Sequence, residues 1–377
     1  MNKKIMFVIP SLEGGGAERV AANLLDALGK TGSEITLCLF GRDHNQYLPG
    51  NIRVRYLPVK STGNFFYVVA KFFILIFYMR KIIKEEKPNS ILSFMDYPNI
   101  VAILSNLLSG RRARINISVH TSPTLQLKRY SNNRWNGIIS ILMRLLYNKA
   151  DKIIAVSSFI KGDLIKNYGI KESGVMVIYN PVDIEKINTL ASEEISLQLI
   201  KEEVPIIISV GRLSREKGHE FLLKAFAIMR KKVRMRLVIL GEGEEERNLG
   251  KLSRNLGINN DVVLLGYDKN PYKYMKRASI FVLSSLYEGF PNVLIEAMAC
   301  GTPVISTQYN PYPHEIIEHG KNGLLVPVAD ENALAEAMLR LLNDKVLRKT
   351  LAEKAKKRIV DFSIEKITEQ YKAVLDV

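Results

Sequence analysis

Short runs of aliphatic and β-branched residues recur along the chain, separated by longer stretches in which apolar positions return every three or four residues. In the first half the short runs fall at 4–9, 34–40, 52–57, 90–94, 115–119, 152–156 and 175–178. The longer stretches fall near 17–30, 65–87, 98–108, 134–149 and 158–167. The first pattern predicts strands buried on both faces, and the second predicts the helices that cover them. Strand and helix alternate throughout, which predicts an α/β fold built on parallel sheets.

The rhythm breaks once. Residues 183–203 carry no strand-like run and are rich in charged and small residues, so they read as a linker with some helix. A new run, Pro205-Ile-Ile-Ile-Ser-Val210, opens a second series, with later strands near 236–240, 261–265, 280–284, 303–306 and 323–326. Two Rossmann-like halves are therefore expected, 1–182 and 183–360, facing each other across a cleft. The final stretch, 361–377, has a helical amphipathic pattern. A length of 377 residues suits two domains, each with a core of its own. No low-complexity segment or internal repeat is apparent.

Charge sharpens this division. Residues 1–180 carry 25 Lys and Arg against 11 Asp and Glu, whereas 181–377 carry 29 against 27. Nearly all of the net charge of +16 thus sits in the first half, which predicts an anionic partner for that domain. Zinc-ligand spacings and nucleic-acid modules are absent, so the partner expected is a membrane surface and not nucleic acid. Cys38 and Cys300 stand in apolar contexts and read as buried free thiols in a reducing compartment. The start, Met1-Asn-Lys-Lys-Ile-Met-Phe-Val-Ile-Pro10, has an apolar core too short for a secretory signal, and a cytoplasmic location is expected.

The chemistry-bearing stretch is Glu288-Gly-Phe-Pro-Asn-Val-Leu-Ile-Glu296. It follows the run at 280–284, so Glu288 is expected at the carboxyl end of a strand and Glu296 about two turns along the next helix. Such a pair can hold two ends of an extended polar ligand. A solvated loop carboxylate and a helix carboxylate paired with a lysine are the plainer alternative. Gly211-Arg-Leu-Ser-Arg-Glu-Lys-Gly218 likewise follows a strand, setting Arg212 and Lys217 where a fork donor and a compact cation can meet a diphosphate. Arg215 reads as a surface charge. Gly14-Gly-Gly-Ala-Glu-Arg19 follows the first strand and opens a helix, where bare backbone can approach a phosphate. It is not the dinucleotide fingerprint, and a nicotinamide-dependent oxidoreductase is the weakest reading.

These motifs, with Ala297-Met-Ala-Cys-Gly-Thr-Pro-Val-Ile-Ser306 after the second glutamate, resemble the donor-binding core of glycosyltransferase family 4. The resemblance extends over most of the chain. It implies the GT-B fold, with the terminal helix crossing back to the first domain, and a retaining, metal-independent enzyme that uses nucleotide sugars. It further implies that Arg212 and Lys217 neutralise the departing diphosphate, that Glu288 holds sugar hydroxyls and that Glu296 holds ribose. Gly15, Gly16, Phe290, Pro291 and Asn292 would line the donor, and the strand-end loops Gly241-Glu-Gly243 and Gly266-Tyr267 would hold its base. His120, at the end of the run 115–119, matches a position near the donor sugar, although a lone histidine is more often structural. Glu18 and Arg19 are acceptor-side candidates, with helix capping an equal account. No Asp-x-Asp is present, the motif that would imply a metal on the diphosphate, and no cofactor is expected. At Asn310-Pro-Tyr-Pro-His-Glu315 the chain departs from the turn that family members often carry.

The acceptor side is read from a second apolar segment. Phe65–Met79 is broken only by Lys71 and is followed by Arg80, Lys81, Lys84 and Lys87. At fifteen residues it falls short of the ~20 needed to span a bilayer, and a buried crossover helix is the plainer alternative. Arg80, Lys84 and Lys87 share one helical face, which suits an element lying on an anionic surface, with Arg111, Arg112, Arg114, Lys128, Arg129 and Arg134 extending it. Ser93-Phe-Met-Asp-Tyr-Pro-Asn99 resembles the corresponding loop of bacterial transferases that extend lipid-linked glycans, making Asp96 and Asn99 acceptor candidates beside a capping role. The expectation is transfer of a hexose or N-acetylhexosamine from a UDP-sugar, UDP-GalNAc or UDP-GlcNAc foremost. The acceptor expected is a polyprenyl-diphosphate-linked glycan, met by a peripheral protein on the inner face of the plasma membrane. A nonhydrolysing UDP-sugar epimerase and an inactive nucleotide-sugar-binding subunit are the alternatives.

Overall fold

The apolar runs become strands because each is short, β-branched and followed at once by a turn, so each is buried on both faces once helices dock. In the computed structural model, residues 3–12, 15–41, 52–57, 65–129, 134–195, 204–309 and 313–377 are described. Gly14, the side chains of Lys128, Arg129 and Arg134, and the Asn310–Tyr312 stretch lie outside the described positions. The chain forms two units, Met1–Pro181 with Ile364–Val377, and Val182–Ser363.

The first unit runs β1 (Lys4–Ile9), α1 (Gly16–Gly29), β2 (Glu34–Leu39), β3 (Ile52–Tyr56), α2 (Phe65–Glu86), β4 (Ser90–Phe94), α3 (Asp96–Leu108), β5 (Arg114–Val119), α4 (Pro123–Arg129), α5 (Arg134–Leu146), β6 (Lys152–Ala155), α6 (Ser158–Tyr168) and β7 (Val175–Val177). The second runs α7 (Ile184–Ala191), β8 (Ile206–Val210), α8 (His219–Arg230), β9 (Arg236–Leu240), α9 (Glu246–Asn255), β10 (Val262–Gly266), α10 (Tyr272–Arg277), β11 (Ile280–Leu283), α11 (Asn292–Ala299), β12 (Val304–Thr307), β13 (Leu324–Val326), α12 (Glu331–Asn343) and α13 (Lys345–Arg358). The chain then returns to the first unit as α14 (Ile364–Leu375).

Each unit holds one wholly parallel sheet, in the orders β3-β2-β1-β4-β5-β6-β7 and β10-β9-β8-β11-β12-β13. Both are doubly wound, with the strand order reversing beside the first strand of the unit. Ligands of such sheets bind outside the carboxyl ends of the strands at that reversal. The places so marked are the loops after β1 and β4 in the first unit and after β8 and β11 in the second.

One face of the first sheet is closed by α1 and α14. Ile367, Tyr371 and Leu375 of α14 are buried with Phe7, Leu24 and Phe94 in a single apolar cluster. The other face carries α2, α3 and α5 as neighbours. In the second unit, α8 and α12 bury Leu222, Phe226 and Met338 against Ile207, Leu237 and Val282. Cys38 and Cys300 are both free and buried, as their apolar contexts predicted, and burial pushes each thiol up to about 12. The stretch 183–195 supplies α7, the helical part of the expected linker. No described helix is long and apolar enough to cross a membrane.

Candidate active site

In the second unit the reversal point brings together the loops after β8 and β11. Gly218 makes this approach feasible. It adopts φ +61°, and a Cβ there would stand 2.2 Å from the Ser284 carbonyl oxygen, closer than any side chain allows. Two hydrogen bonds then tie the loops: the Ser284 hydroxyl donates to the Lys217 carbonyl at 2.9 Å, and the Leu286 amide donates to the Glu216 carbonyl at 2.7 Å.

Held in this way, Lys217 Nζ lies 2.6 Å from Glu288 Oε1, a pair whose side chains are only 20% and 12% exposed. Ser285 donates its hydroxyl to the same carboxylate oxygen at 2.7 Å, and Thr307 at the end of β12 donates to the Ser285 carbonyl. Glu288 is thus held from two sides. The role of Ser285 was not anticipated, although Ser285-Leu-Tyr-Glu288 has the three-residue spacing at which a hydroxyl reaches a carboxylate. Thr307 is distant in sequence and gave no signal.

Arg212 and Arg215 are exposed, one on each side of the buried Leu213-Ser214 pair. The β9 loop packs beneath them. Gly241, at φ +138°, would place a Cβ 1.9 Å from the Gly211 carbonyl oxygen, so only glycine fits. Its amide donates to Gly266 at 2.8 Å, which joins the β9 and β10 loops. Gly243 packs on the Leu213 carbonyl in the same manner, and Tyr267 stands 61% exposed at the outer edge. The turn Phe290-Pro291-Asn292 leads into α11, with Phe290 buried against the Phe362 ring at 5.8 Å. Phe290, expected at the donor, therefore also closes the core of its unit. Glu296 lies in α11 and is 6% exposed. His219 opens α8 fully enclosed, and burial, reinforced by the Lys217 charge, drives its pKa down to about 3.

In the first unit the β1 and β4 loops carry the acceptor-side candidates. Gly15 caps α1, and the Glu18 carboxylate folds back over it, where a Cβ would meet Glu18 Oε2 at 2.0 Å. This favours capping for Glu18, an acid at a helix amino terminus. Gly16 and Arg19 lie in the first turn of α1, and the Arg19 amide donates to the Gly15 carbonyl at 3.1 Å. Asp96 opens α3 and accepts a hydrogen bond from the Tyr147 hydroxyl at 3.0 Å. Burial raises its pKa to about 6, the Tyr147 bond opposes this, and the Asp163 charge adds to it. Asn99, expected at the acceptor, is fully buried, and its amide clamps the Ser118 carbonyl at 3.0 Å. It holds β5 to α3. His120 keeps some surface, yet Phe94 flanks its ring at 5.7 Å and Ser118 Oγ lies 2.9 Å from Nε2. Burial lowers its pKa to about 3, which keeps the imidazole neutral.

The basic stripe expected on α2 is altered. Arg80 is half-buried and donates to the Leu108 carbonyl at 3.0 Å, capping α3. Lys87 lies beyond the end of α2, at φ +48°. Lys81 and Lys84 remain exposed, while Lys71 is partly buried and its pKa is lowered by that burial. Among the described residues no cluster of three or more His, Cys, Asp or Glu can hold a metal ion. A cavity of about 310 Å³ opens at the amino ends of β1–β3, lined by Lys4, Glu34, Arg53 and Glu86. It lies at the opposite end of the first sheet from the β1 and β4 loops.

Each unit is a parallel-sheet, Rossmann-like domain, the architecture that the GT-B resemblance implies. Residues 14–186 match the model of Glycosyltransferase Family 4, and residues 192–358 match that of Glycosyl transferases group 1. The chain is 35% identical over 367 residues, 97% of either chain, to the N-acetylgalactosamine-N,N'-diacetylbacillosaminyl-diphospho-undecaprenol 4-alpha-N-acetylgalactosaminyltransferase of Campylobacter jejuni. It is 30% identical over 371 residues, 98% of this chain and 97% of the other, to a second alpha-1,4-N-acetyl-D-galactosaminyltransferase of that organism, named for a GalNAc-alpha-(1->4)-GalNAc-alpha-(1->3)-diNAcBac-PP-undecaprenol substrate. Among solved structures, sucrose-phosphate synthase of Thermosynechococcus elongatus superposes with a TM-score of 0.85 at 21% identity, covering 100% of this chain and 98% of that one. Anabaena HepE, in complex with UDP and glucose, superposes at 0.79 and 20% identity, covering both chains completely. The chain belongs to glycosyltransferase family 4, and it is an enzyme of that class.

Proposed function

We propose that this glycosyltransferase moves an N-acetylhexosamine, GalNAc or GlcNAc, from its UDP derivative to a polyprenyl-diphosphate-linked glycan at the inner face of the plasma membrane. Transfer would proceed with retention and without a metal or other cofactor. The observation that carries this reading is similarity over essentially the whole chain to a transferase named for an undecaprenol-linked substrate and for GalNAc transfer.

The chemistry follows from the loops of the second unit. Lys217 is paired with Glu288 at 2.6 Å. A diphosphate offers Lys217 a more highly charged partner and draws in the exposed Arg212 fork. Glu288, still held by Ser285, then accepts hydrogen bonds from the sugar hydroxyls, and Glu296 takes the ribose. Charge building on the leaving diphosphate would be met by Lys217 and Arg212, the electrostatic task a metal performs elsewhere. The leaving phosphate can accept the acceptor proton on the same face, so no carboxylate nucleophile is required. In the first unit Asp96 and the neutral His120 are the groups offered to the acceptor and donor sugar.

The test is nucleotide release from a panel of UDP- and GDP-sugars in EDTA, with and without a bacterial lipid extract containing polyprenyl-linked glycans. Lipid-dependent release from one UDP-N-acetylhexosamine, lowered on the order of 10²–10³-fold in Lys217→Ala, is the expected result. Sugar interconversion without release would overturn it in favour of an epimerase. Donor binding without release from any acceptor would point to an inactive binding subunit.

A further inference from the structure

Helices that cover a sheet in water normally turn charged side chains outward. Three neighbouring helices of the first unit do the opposite. The inward face of α2 is apolar as required, with Phe72, Leu75, Met79 and Ile83 buried against the fold. Its outward face carries Phe73 and Phe77, 64% and 61% exposed, beside Ile74 and Tyr78. The adjacent α3 ends on the exposed Leu108, and α5 turns Ile141 and Leu145 outward. The helices touch one another. Arg80 of α2 bonds the Leu108 carbonyl of α3, and Phe72 of α2 meets Trp135 of α5 at 5.8 Å. The other exposed large apolar side chains among the described residues, Tyr56, Tyr267, Val346 and Val360, are scattered singly. An apolar face shared by adjacent elements marks an interaction surface.

Charge identifies the occupant. Lys81 and Lys84 continue the exposed stripe of α2 beyond Tyr78, and Arg111 and Arg112 stand exposed just past Leu108. The half of the sequence that holds this face also carries nearly all of the net positive charge. An apolar centre beside a basic margin matches an anionic bilayer, in which aromatic and aliphatic side chains enter the acyl boundary and lysines reach the headgroups.

We propose that the outward face of α2, α3 and α5 docks on anionic membrane by inserting Phe73, Phe77, Ile141 and Leu145, with Lys81 and Lys84 contacting the headgroups. The apolar side chains carry the attachment and the lysines orient it, the reverse of the basic stripe expected on α2. This inference rests on the reading that the acceptor is carried in a membrane, and it specifies the surface that meets it.

The experiment is flotation with vesicles of phosphatidylethanolamine and phosphatidylglycerol, at low salt and at about 0.5 M salt, where charge is screened within a few ångströms. Quenching of Trp135, the single tryptophan of the chain, by brominated lipid gives a second readout. The intact protein should bind in both salts and show quenching. Phe73→Ser with Phe77→Ser, and Ile141→Ser with Leu145→Ser, should each weaken binding at least about tenfold in both salts. Lys81→Gln with Lys84→Gln should weaken it at low salt only. Binding that disappears entirely at high salt, or serine variants that bind as the parent does, would overturn the proposal. So would failure to bind any vesicle together with a dimer mass by light scattering, which would assign the face to a second copy. Transfer to lipid-linked acceptor dispersed in detergent is measured alongside. Its absence would count against the enzymatic reading, while the flotation result would still decide the docking surface.

Discussion

Lys217 and Glu288 illustrate how a residue's chemistry depends on its neighbours. As an exposed pair they would contribute about 1 kcal/mol or less. Here both are largely enclosed, and Ser285 donates to the same Glu288 oxygen that meets Lys217. Ser285→Ala should lower kcat/KM about tenfold by loosening Glu288, and the loss should largely vanish in a Glu288→Gln background, because the hydroxyl acts through that carboxylate. A steady-state double-mutant cycle with melting curves of each variant checks this. Lys217→Ala should cost on the order of 10²–10³ in kcat/KM, since it removes charge where charge develops. Asp96 makes a pH-dependent prediction. Its folded-state pKa of about 6 lies above its ordinary value, so the folded form prefers it protonated. That contribution is complete at low pH and is lost as pH rises through 6. Asp96→Asn should therefore stabilise the protein at pH 7.5 by roughly 1–2 kcal/mol and leave it nearly unchanged at pH 4, as urea unfolding at both pH values will read. His219 acts in the opposite sense. Its pKa is depressed to about 3, so its contribution is present above its ordinary value of 6.5 and fades as pH falls below it.

Among the elements, the β8–α8 and β11–α11 connections matter most, because their approach brings Lys217 to Glu288. That approach depends on Gly218, whose backbone conformation and clearance from Ser284 both exclude a side chain. Gly218→Ala should cost ~2–3 kcal/mol from strain and overlap and should depress donor binding with it, measurable by denaturation and by UDP titration calorimetry. Gly32 shares a positive φ but has open space around it, so Gly32→Ala is the control for strain without overlap. The helix α2 is apolar on its buried and on its exposed side. Its buried positions obey the sheet, and its exposed positions are apolar where water alone would favour charge.

In the whole molecule, the chain leaves its first unit at Pro181 and returns to it at Ile364. The last helix therefore completes a core begun by the first strand. Tyr371 is fully buried there with Phe7 and Phe94. Tyr371→Ala should destabilise that unit by about 3–5 kcal/mol. Hydrogen exchange followed by mass spectrometry should show faster exchange in β1 and β4 with β8 and β11 little changed, since the second unit has a separate core.

Much of this was written in the chain itself. Strand positions were legible because each is a short β-branched run ended by a turn, a local signal that tertiary packing had no reason to override. The α/β class, the break near residue 183 and the motifs around Arg212, Lys217, Glu288 and Glu296 were legible for the same reason, as patterns of neighbouring residues. What depends on residues far apart in the chain was not. The Lys217–Glu288 pair spans 71 positions and exists because the strand order reverses between β8 and β11. Thr307 reaches Ser285 from a neighbouring strand, and Asn99 turns inward because Ser118 presents a carbonyl there. Helical spacing on α2 grouped Arg80 with Lys84 and Lys87, but spacing is blind to the Leu108 carbonyl that captures Arg80 and to the point at which the helix stops. Periodicity shows that a face exists. Which face meets water is decided by the neighbours that cover the other, and they are set by the packing of the whole fold.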